Sequence, residues 1–438
     1  MSTDRFQCQL SAGDRSAVGI TWSCAAVILA CVWKAVHPNV PPPNSRESWW
    51  AIALRRLYMT LWTILLPEVV VMRAAAQWCE ARRTSEVYQE QHPQDTIPLI
   101  VGAGNSKDTD QPKFKKLRAF LSSFVSHSSV PGNEPQWTKT HSYFLSMGGF
   151  VTTQSDGKRR IIHPADLGVV TGDSTETAPK LPWPMVEEDD IKDKRKGDTI
   201  TKVLVIWQTT WFVVQIITRA VEGLAVTELE IMTLAYGVLS AFLYVLWWNK
   251  PYDIQKPIVI PASQLEEPDP QESTPPTEPL KASDFLLGRW LAQLDTIIFQ
   301  GKWYSSDIPT SDIAVCTFFL VTSATVFGCI HCIAWNFKFL SRPERLLWIS
   351  SSLVVAATPL ALTIGPVIFF LVSPVLKKYL GRVYSVVFMK VGNFLYNVSV
   401  YIYCLARIVL IVEPFVLLRD LSPSATQPIS WTDLIPHV

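Results

Sequence analysis

The stretch "VLVIWQTTWFVVQIITRAVEGLAVTELEIMTLAYGVLSAFLYVLWW", residues 203–248, carries a clear membrane signal. It holds two apolar runs, 203–221 and 229–248, each close to the roughly 20 residues that an α-helix needs to cross a bilayer. Because the connection between them is short, the runs are predicted to form an antiparallel transmembrane hairpin. Trp247 and Trp248, followed by "NKP", are typical of a membrane interface and a helix stop.

Further apolar runs lie on both sides of this hairpin. The N-terminal segment, 1–72, contains candidate spans at about 17–33 and 51–72. The second of these is short, and an amphipathic helix in the headgroup plane is the alternative. Three long runs follow in 313–412, and the middle one is predicted to be kinked at Pro359, Gly365 and Pro366. The sequence therefore predicts an all-α fold, a multi-pass transmembrane helical bundle with about six or seven spans.

Composition agrees with a membrane location and excludes several classes of protein. Only 18% of residues are charged, against about 25% in average soluble domains. The net charge of +1 gives no basic face for nucleic acid. Most of the 8 cysteines fall inside apolar runs, unlike the disulfide framework of a secreted domain. The expected partners are the lipid bilayer and, as a candidate, a lipophilic small molecule, with no nucleic acid.

The hydrophilic parts of the chain complete the predicted organisation. Residues 73–202 form a long, partly ordered loop, and its Lys and Arg near the ends of spans predict a cytoplasmic location in an unspecified membrane. By the same reasoning the connections 34–50 and 222–228 are placed on the opposite side. Residues 249–312 are predicted to be a Pro-rich disordered linker followed by an amphipathic approach helix, and 413–438 a C-terminal tail.

An aromatic island, "WTKTHSYFLSMGGFV" at 137–151, interrupts the polar loop. Its apolar side chains are expected to dock the loop onto the bundle or the membrane surface, with Trp137 and Phe144 buried. His141 within it is a candidate catalytic base, because imidazole exchanges protons near neutral pH. A structural histidine is the alternative.

Polar residues inside predicted spans need a reason, because each charged one costs on the order of 2.5–3.5 kcal/mol to insert. Gln208, Gln215 and Arg219 recur on one helical face, and Glu222 is placed to pair with Arg219. This polar membrane stripe is predicted either to line a cavity or to hold helices together through hydrogen bonds.

Three carboxylates, Glu68, Glu230 and Glu413, are candidate catalytic acids. Glu230 and its neighbour Glu228 have a structural alternative, since Thr227 could cap the helix that they open. Glu68 follows Pro67, and with Arg407 and Glu413 it could form a buried charge constellation. A Pro-Glu break of this kind exposes backbone carbonyls, as in discontinuous transporter helices.

The segment "CIHC", residues 329–332, resembles a set of metal ligands. On a helix, however, His331 points away from both cysteines, and a second ligand pair is not evident. Neither a metal site nor a cofactor is predicted.

Longer stretches carry a resemblance to a known group. They are "LPEVVVMRAAAQW" (66–78), "WTKTHSYFLSMGGF" (137–150), "KGDTITKVLVIWQTTWFVVQIITRAVEGLAVTELEIMTLAY" (196–236), "YVLWWNKP" (244–251), "IHCIAWNF" (330–337), "ARIVLIVEPFVLLR" (406–419) and "WTDLIPHV" (431–438). With these stretches the chain resembles a group of fungal multi-pass membrane proteins. The resemblance implies a polytopic membrane protein and no particular activity.

Three functions are compatible with these residues, and whether the protein is an enzyme stays open. The main prediction is a membrane scaffold or a channel-like or transporter-like protein without an identifiable catalytic motif. The alternative is an integral-membrane enzyme that uses buried carboxylates on a lipophilic metabolite, for example in an acid-catalysed cyclisation.

Overall fold

A computed structural model describes residues 15–41, 43, 49–93, 137–153, 157–169, 181–194, 198–261 and 310–429. For residues 198–202, 310–311, 366–389 and 393 it describes the backbone alone. Most of the predicted linker and approach helix, at 262–309, lies outside the described residues, as does 94–136 of the hydrophilic region.

The described chain is an all-α multi-pass membrane bundle, as predicted from the apolar runs. Six helical segments are long and apolar enough to cross a membrane: Ala17–Ala35, Val203–Val221, Glu228–Leu246, Asp312–Asn336, Arg342–Gly365 and Lys390–Leu417. The helices are α1 (Ala17–Ala35), α2 (Trp49–Leu65), α3 (Pro67–Gln91), α4 (Lys139–Ser146), α5 (Glu188–Asp193), α6 (Asp198–Val221), α7 (Glu228–Leu246), α8 (Thr310–Cys332), α9 (Arg342–Leu417) and α10 (Pro423–Thr426).

The long helical stretch α9 supplies two spans. Its 76 residues would reach about 114 Å if they were straight, at ~1.5 Å per residue. Arg419, just beyond its last residue, instead forms an ion pair with Glu344 in its first turn. The segments 342–365 and 390–417 therefore run antiparallel, and both contribute buried residues to the bundle core.

The two ends of the bundle are marked by polar contacts. At one end, here called the terminal end, Arg15 before α1 forms an ion pair with Glu230 of α7, and its backbone N–H donates to the carbonyl of Thr426 at 2.8 Å. At the other end, here called the loop end, Lys250 after α7 donates to the carbonyl of His37 (2.6 Å) and to Asn39 Oδ1 (2.7 Å).

The predicted span 51–72 is divided at Leu66. Helices α2 and α3 meet there at a bend of 111°. Arg56, midway along α2, pairs with Asp253 at 3.4 Å, and Gln77 within α3 accepts from Lys250 at 2.9 Å, so both arms leave toward the loop end. Helices α2 and α3 therefore form a re-entrant hairpin whose break lies inside the bundle.

Because of this hairpin, the predicted location of residues 34–50 is wrong. They were expected on the opposite side from 73–202, on the assumption that 51–72 crosses the membrane. The backbone N–H of Val40 instead donates to the carbonyl of Met147 at 3.1 Å. Because the hairpin returns to the end from which it enters, the described residues that follow α1 and those that follow α3 lie at the same end, the loop end.

The aromatic island forms part of a small subdomain at the loop end. Helix α4 leads into a three-stranded sheet of order β2-β1-β3, with β1 (Phe150–Thr153) antiparallel to β2 (Arg159–Ile161) and parallel to β3 (Ile258–Ile260). Phe144 is fully buried in its apolar core, and Trp137 is partly buried against that core. Tyr143 donates from its hydroxyl to the carbonyl of Leu246 at 2.6 Å, which ties the subdomain to α7.

Candidate functional site

The break in the re-entrant hairpin leaves backbone carbonyls without helical partners in the middle of the bundle. Pro67 opens α3 and has no N–H to donate. Two side chains from other helices supply the missing donors. The hydroxyl of Tyr236 donates to the carbonyl of Ile64 at 2.5 Å, and Arg407 Nε donates to the carbonyl of Leu65 at 3.2 Å.

Glu68, the second residue of α3, lies beside this break and carries the buried charge. Its Oε1 accepts from the hydroxyl of Tyr403 at 2.6 Å, and its Oε2 lies 3.4 Å from Arg407 Nη2. The side chains of Glu68 and Arg407 are 4% and 1% exposed. The guanidinium also lies over the ring of Phe327, 3.8 Å from the centroid, which suits a desolvated cation.

The ion pair of Glu68 and Arg407 makes few hydrogen bonds for two charged groups that are almost fully buried. Among the described residues, Glu68 Oε2 and both Arg407 Nη atoms are buried without a hydrogen-bond partner, since the 3.4 Å contact is an ion pair without hydrogen-bond geometry. Taking both ions out of water is costly, and mutual attraction offsets the cost only while both partners are present. Glu68 and Arg407 therefore depend on each other, since removing either one leaves the other buried without an opposite charge.

A partly open cavity of about 100 Å³ adjoins the pair. Tyr396, also on its wall, has a buried hydroxyl without a partner among the described residues. The cavity lies between the hairpin break, α8 and the two arms of α9, and it is lined by Leu66, Glu68, Val69, Leu320, Ala324, Thr358, Pro359, Leu362, Thr363, Tyr396, Val400, Tyr403 and Cys404. The accessible surface of the wall is thus apolar, although Glu68, the tyrosines and the threonines contribute carbon atoms to the lining.

The predicted polar stripe is spread along α6. Gln208 is exposed, Gln215 is half-buried and Glu222 lies partly exposed at the helix end. Arg219 is buried, and its Nη2 donates to the carbonyls of Ala225 (2.7 Å) and of the C-terminal segment. None of the four residues lines the cavity beside Glu68, and Arg219 fastens the C-terminal segment to the bundle.

Glu230 and Glu413 lie nearer the terminal end than Glu68. Glu230 completes a capping box with Thr227 at the start of α7, as the structural alternative predicted, and pairs with Arg15. Glu413 is 5% exposed and within electrostatic range of Glu344 and Glu228. Of the three candidate acids, only Glu68 lines the cavity.

His141 occupies a structural position at the loop end. Its Nε2 donates to the carbonyl of Val186 at 2.9 Å, and its Nδ1 accepts from the backbone N–H of Thr138 at 3.1 Å. Burial lowers the pKa of this imidazole, and both ring nitrogens are occupied in the neutral form. The residue holds α4 to the segment before α5 and is remote from Glu68.

The side chains of the "CIHC" segment also lie in different environments. Cys329 is exposed, whereas His331 is buried with its Nδ1 2.8 Å from the carbonyl of Phe327. Throughout the part of the chain that the structure describes, no cluster of three or more His, Cys, Asp or Glu side chains could hold a metal ion.

The sequence does not indicate a role for three tyrosines of the site, because tyrosine is an ordinary component of apolar runs. They are Tyr236, Tyr396 and Tyr403. One signal was available. Tyr396 and Tyr403 precede Arg407 by eleven and four residues, spacings that place all three on one helical face.

Comparison with known proteins adds a family and no activity. The model of a family described as "Family of unknown function (DUF8562)" matches residues 9–268 and 314–438. No curated protein and no solved structure matches the chain.

Proposed function

We propose a function from the chemistry of the buried site around Glu68. The chain belongs to the family of unknown function DUF8562, and membership of that family implies no activity. The protein is proposed to be a membrane-embedded binding protein. Its ligand is a lipophilic molecule that places one hydrogen-bonding group beside Glu68, Tyr403 and Tyr396. The single observation that carries this proposal is the apolar cavity whose lining includes the buried Glu68 and Tyr396, a tyrosine whose hydroxyl has no hydrogen-bond partner among the described residues.

The chemistry of the cavity supports a lipophilic ligand with a small polar group. Pockets for such molecules are mostly apolar and carry a few polar groups that orient the ligand. A hydroxyl on the ligand could donate to Glu68 Oε2 or accept from Tyr396, two groups that lack a hydrogen-bond partner in the described structure. A hydrogen bond from the ligand to either group would offset part of the free-energy cost of burying that group.

The size of the cavity favours binding of one part of a ligand. Pockets that enclose a whole drug-sized molecule measure about 300–1,000 Å³. A cavity of about 100 Å³ holds one ring or a short length of chain, so the rest of the ligand would lie among the helices or in the bilayer. A lipid that enters from the membrane satisfies this arrangement.

The same features weigh against the enzymatic alternative. Acid-catalysed cyclisation needs a protonated carboxyl in a cavity large enough to fold the substrate. Glu68 instead lies 3.4 Å from the guanidinium of Arg407, and the adjoining cavity of about 100 Å³ is small for such a substrate. Arg219 and Glu230, which an enzyme could have used as well, are engaged at the terminal end.

We further propose that residues 73–202, and with them the loop end, face the cytoplasm. The basic residues near the helix ends support this orientation, because Lys and Arg are retained on the cytoplasmic side. Lys194 at the loop end and Arg342 at the terminal end offer matched positions for cysteine substitution. An impermeant maleimide added to sealed cells should label a cysteine at 342 and spare one at 194, and the reverse pattern would contradict the orientation.

Photocrosslinking tests the binding site. A long-chain alcohol that carries a diazirine near its hydroxyl is compared with a hydrocarbon of equal length that lacks the hydroxyl. The alcohol is expected to label peptides containing Glu68 or Tyr403, and Tyr396→Phe should weaken labelling by the alcohol more than by the hydrocarbon. Equal labelling by both probes, spread over the outer faces of the helices, would refute the proposed site.

A further inference from the structure

We propose that Cys79 and Cys316 are a site of oxidative modification, a thiol pair that closes into a disulfide between the re-entrant hairpin and α8. The proposal does not depend on the ligand of the cavity. It stands on the register of two antiparallel helices and on the free, buried thiols that this register brings together.

The register is fixed by a neighbouring ion pair. Arg83 of α3 pairs with Asp312 of α8. Cys79 lies four residues before Arg83, and Cys316 lies four residues after Asp312, so one helical turn along the antiparallel interface places the two cysteines opposite each other. The two thiols are hydrogen-bonded to one another.

Both cysteines are buried, with 6% and 3% of their surface exposed. Burial alone is ordinary for cysteine, which packs as a small hydrophobe. An arginine beside two buried thiols, here Arg83, is less common. The hydrogen bond from Cys316, together with the guanidinium of Arg83 one turn away, favours the thiolate of Cys79, which is the form that attacks a disulfide.

The reaction balances with a small lipophilic disulfide as the co-reactant. The thiolate of Cys79 attacks one of its sulfur atoms, forms a mixed disulfide and displaces the first small thiolate, which takes up the proton that Cys79 lost. The sulfur of Cys316 then attacks the Cys79 sulfur as its own proton passes to the second small thiolate, so the Cys79–Cys316 bond forms and the second small thiol leaves. Two protein thiols are oxidised and one small disulfide is reduced to two thiols, with no other reactant.

The expected consequence is a covalent tie between α3 and α8. In the reduced protein these helices are held together at this end by packing and by the Arg83–Asp312 ion pair, whose side chains are 22% and 18% exposed. A disulfide here closes a very long loop, and long loops gain most from closure in the chain-entropy account. Oxidation should therefore raise the temperature at which the bundle unfolds.

Peptide mapping of the full-length protein tests the proposal. Purified protein in mild detergent is treated with 4,4′-dithiodipyridine, a membrane-permeant disulfide, then blocked with N-ethylmaleimide, digested and analysed by mass spectrometry. The expected major product is a peptide pair joined through Cys79 and Cys316, which dithiothreitol separates. Recovery of both cysteines as maleimide or thiopyridine adducts, with the joined pair absent, would overturn the proposal.

Two variants separate pairing from general reactivity. Cys79→Ser should leave Cys316 without a partner, so that any oxidation of Cys316 stops at the thiopyridine adduct. Cys24→Ser removes another buried cysteine, on α1, and should leave the joined pair unchanged. The measurement on the wild-type chain remains decisive if a variant fails to fold, and it is independent of whether the cavity retains a lipid.

Discussion

Replacing Arg407 by methionine should destabilise the protein far more than replacing an exposed arginine. The substitution removes the guanidinium and leaves the carboxylate of Glu68 buried with Tyr403 as its remaining hydrogen-bond donor. Breaking a buried ion pair by removing one partner costs about 3–5 kcal/mol. Loss of the Arg407 bond to the carbonyl of Leu65 adds to this cost.

Arg419 provides the matched control. It pairs with Glu344, but its side chain is 53% exposed, and pairs of that kind are worth about 0–1 kcal/mol. Arg419→Met should therefore change the free energy of unfolding little. The difference between the two substitutions isolates the effect of burial, because both remove one guanidinium from α9 or its end.

The double variant Glu68→Gln with Arg407→Met shows whether an uncompensated charge causes the loss. Replacing the carboxylate by a neutral amide should restore much of the stability that Arg407→Met removes, since no unpaired charge remains. The assay is unfolding of the purified protein in mixed micelles with increasing sodium dodecyl sulfate, followed by tryptophan fluorescence. Equal losses for Arg407→Met and Arg419→Met, or a double variant no more stable than Arg407→Met, would show that the unpaired charge of Glu68 does not cause the loss.

Two further predictions concern packing and pH. A Cβ at Gly328 would lie 2.4 Å from the backbone nitrogen of Ala356, so Gly328→Ala should cost about 1–3 kcal/mol by thermal unfolding, whereas Gly365→Ala, which meets nothing within 4 Å, should not destabilise. Loss of the difference between these two would contradict the close contact of α8 and α9. His141 has a pKa lowered by burial, so below its ordinary value of about 6.5 the unfolded chain binds a proton that the folded chain does not. The free energy of unfolding should therefore fall as pH falls through that range, and His141→Gln should flatten this dependence; an unchanged slope would be the contrary result.

The spans could be predicted from the sequence because hydropathy and length are local properties of a run. The runs at 203–221 and 229–248 became α6 and α7 with little adjustment. The division at Leu66 could not be predicted in the same way. A Pro-Glu pair within an apolar run is equally typical of a kinked span, and only contacts such as Arg56 with Asp253 show that α2 and α3 leave at one end.

The candidate site was predicted in part. Glu68 and Arg407 were linked because each is a charge inside an apolar run and needs compensation, and the fold brings them together across more than 300 residues of chain. Periodicity placed Gln208 and Arg219 on one face of α6 but could not show how much of that helix the bundle covers. In the structure Gln208 is exposed while Arg219 is buried.

Native mass spectrometry tests most directly whether the cavity beside Glu68 binds a lipophilic molecule. Wild-type protein released from gentle micelles is compared with Ala324→Leu, in which a larger side chain fills the cavity from α8. We expect wild-type protein to carry one lipophilic adduct per chain and Ala324→Leu to lose it while remaining folded. A wild-type chain without an adduct, or an adduct that Ala324→Leu leaves unchanged, would contradict binding of a lipophilic molecule in this cavity.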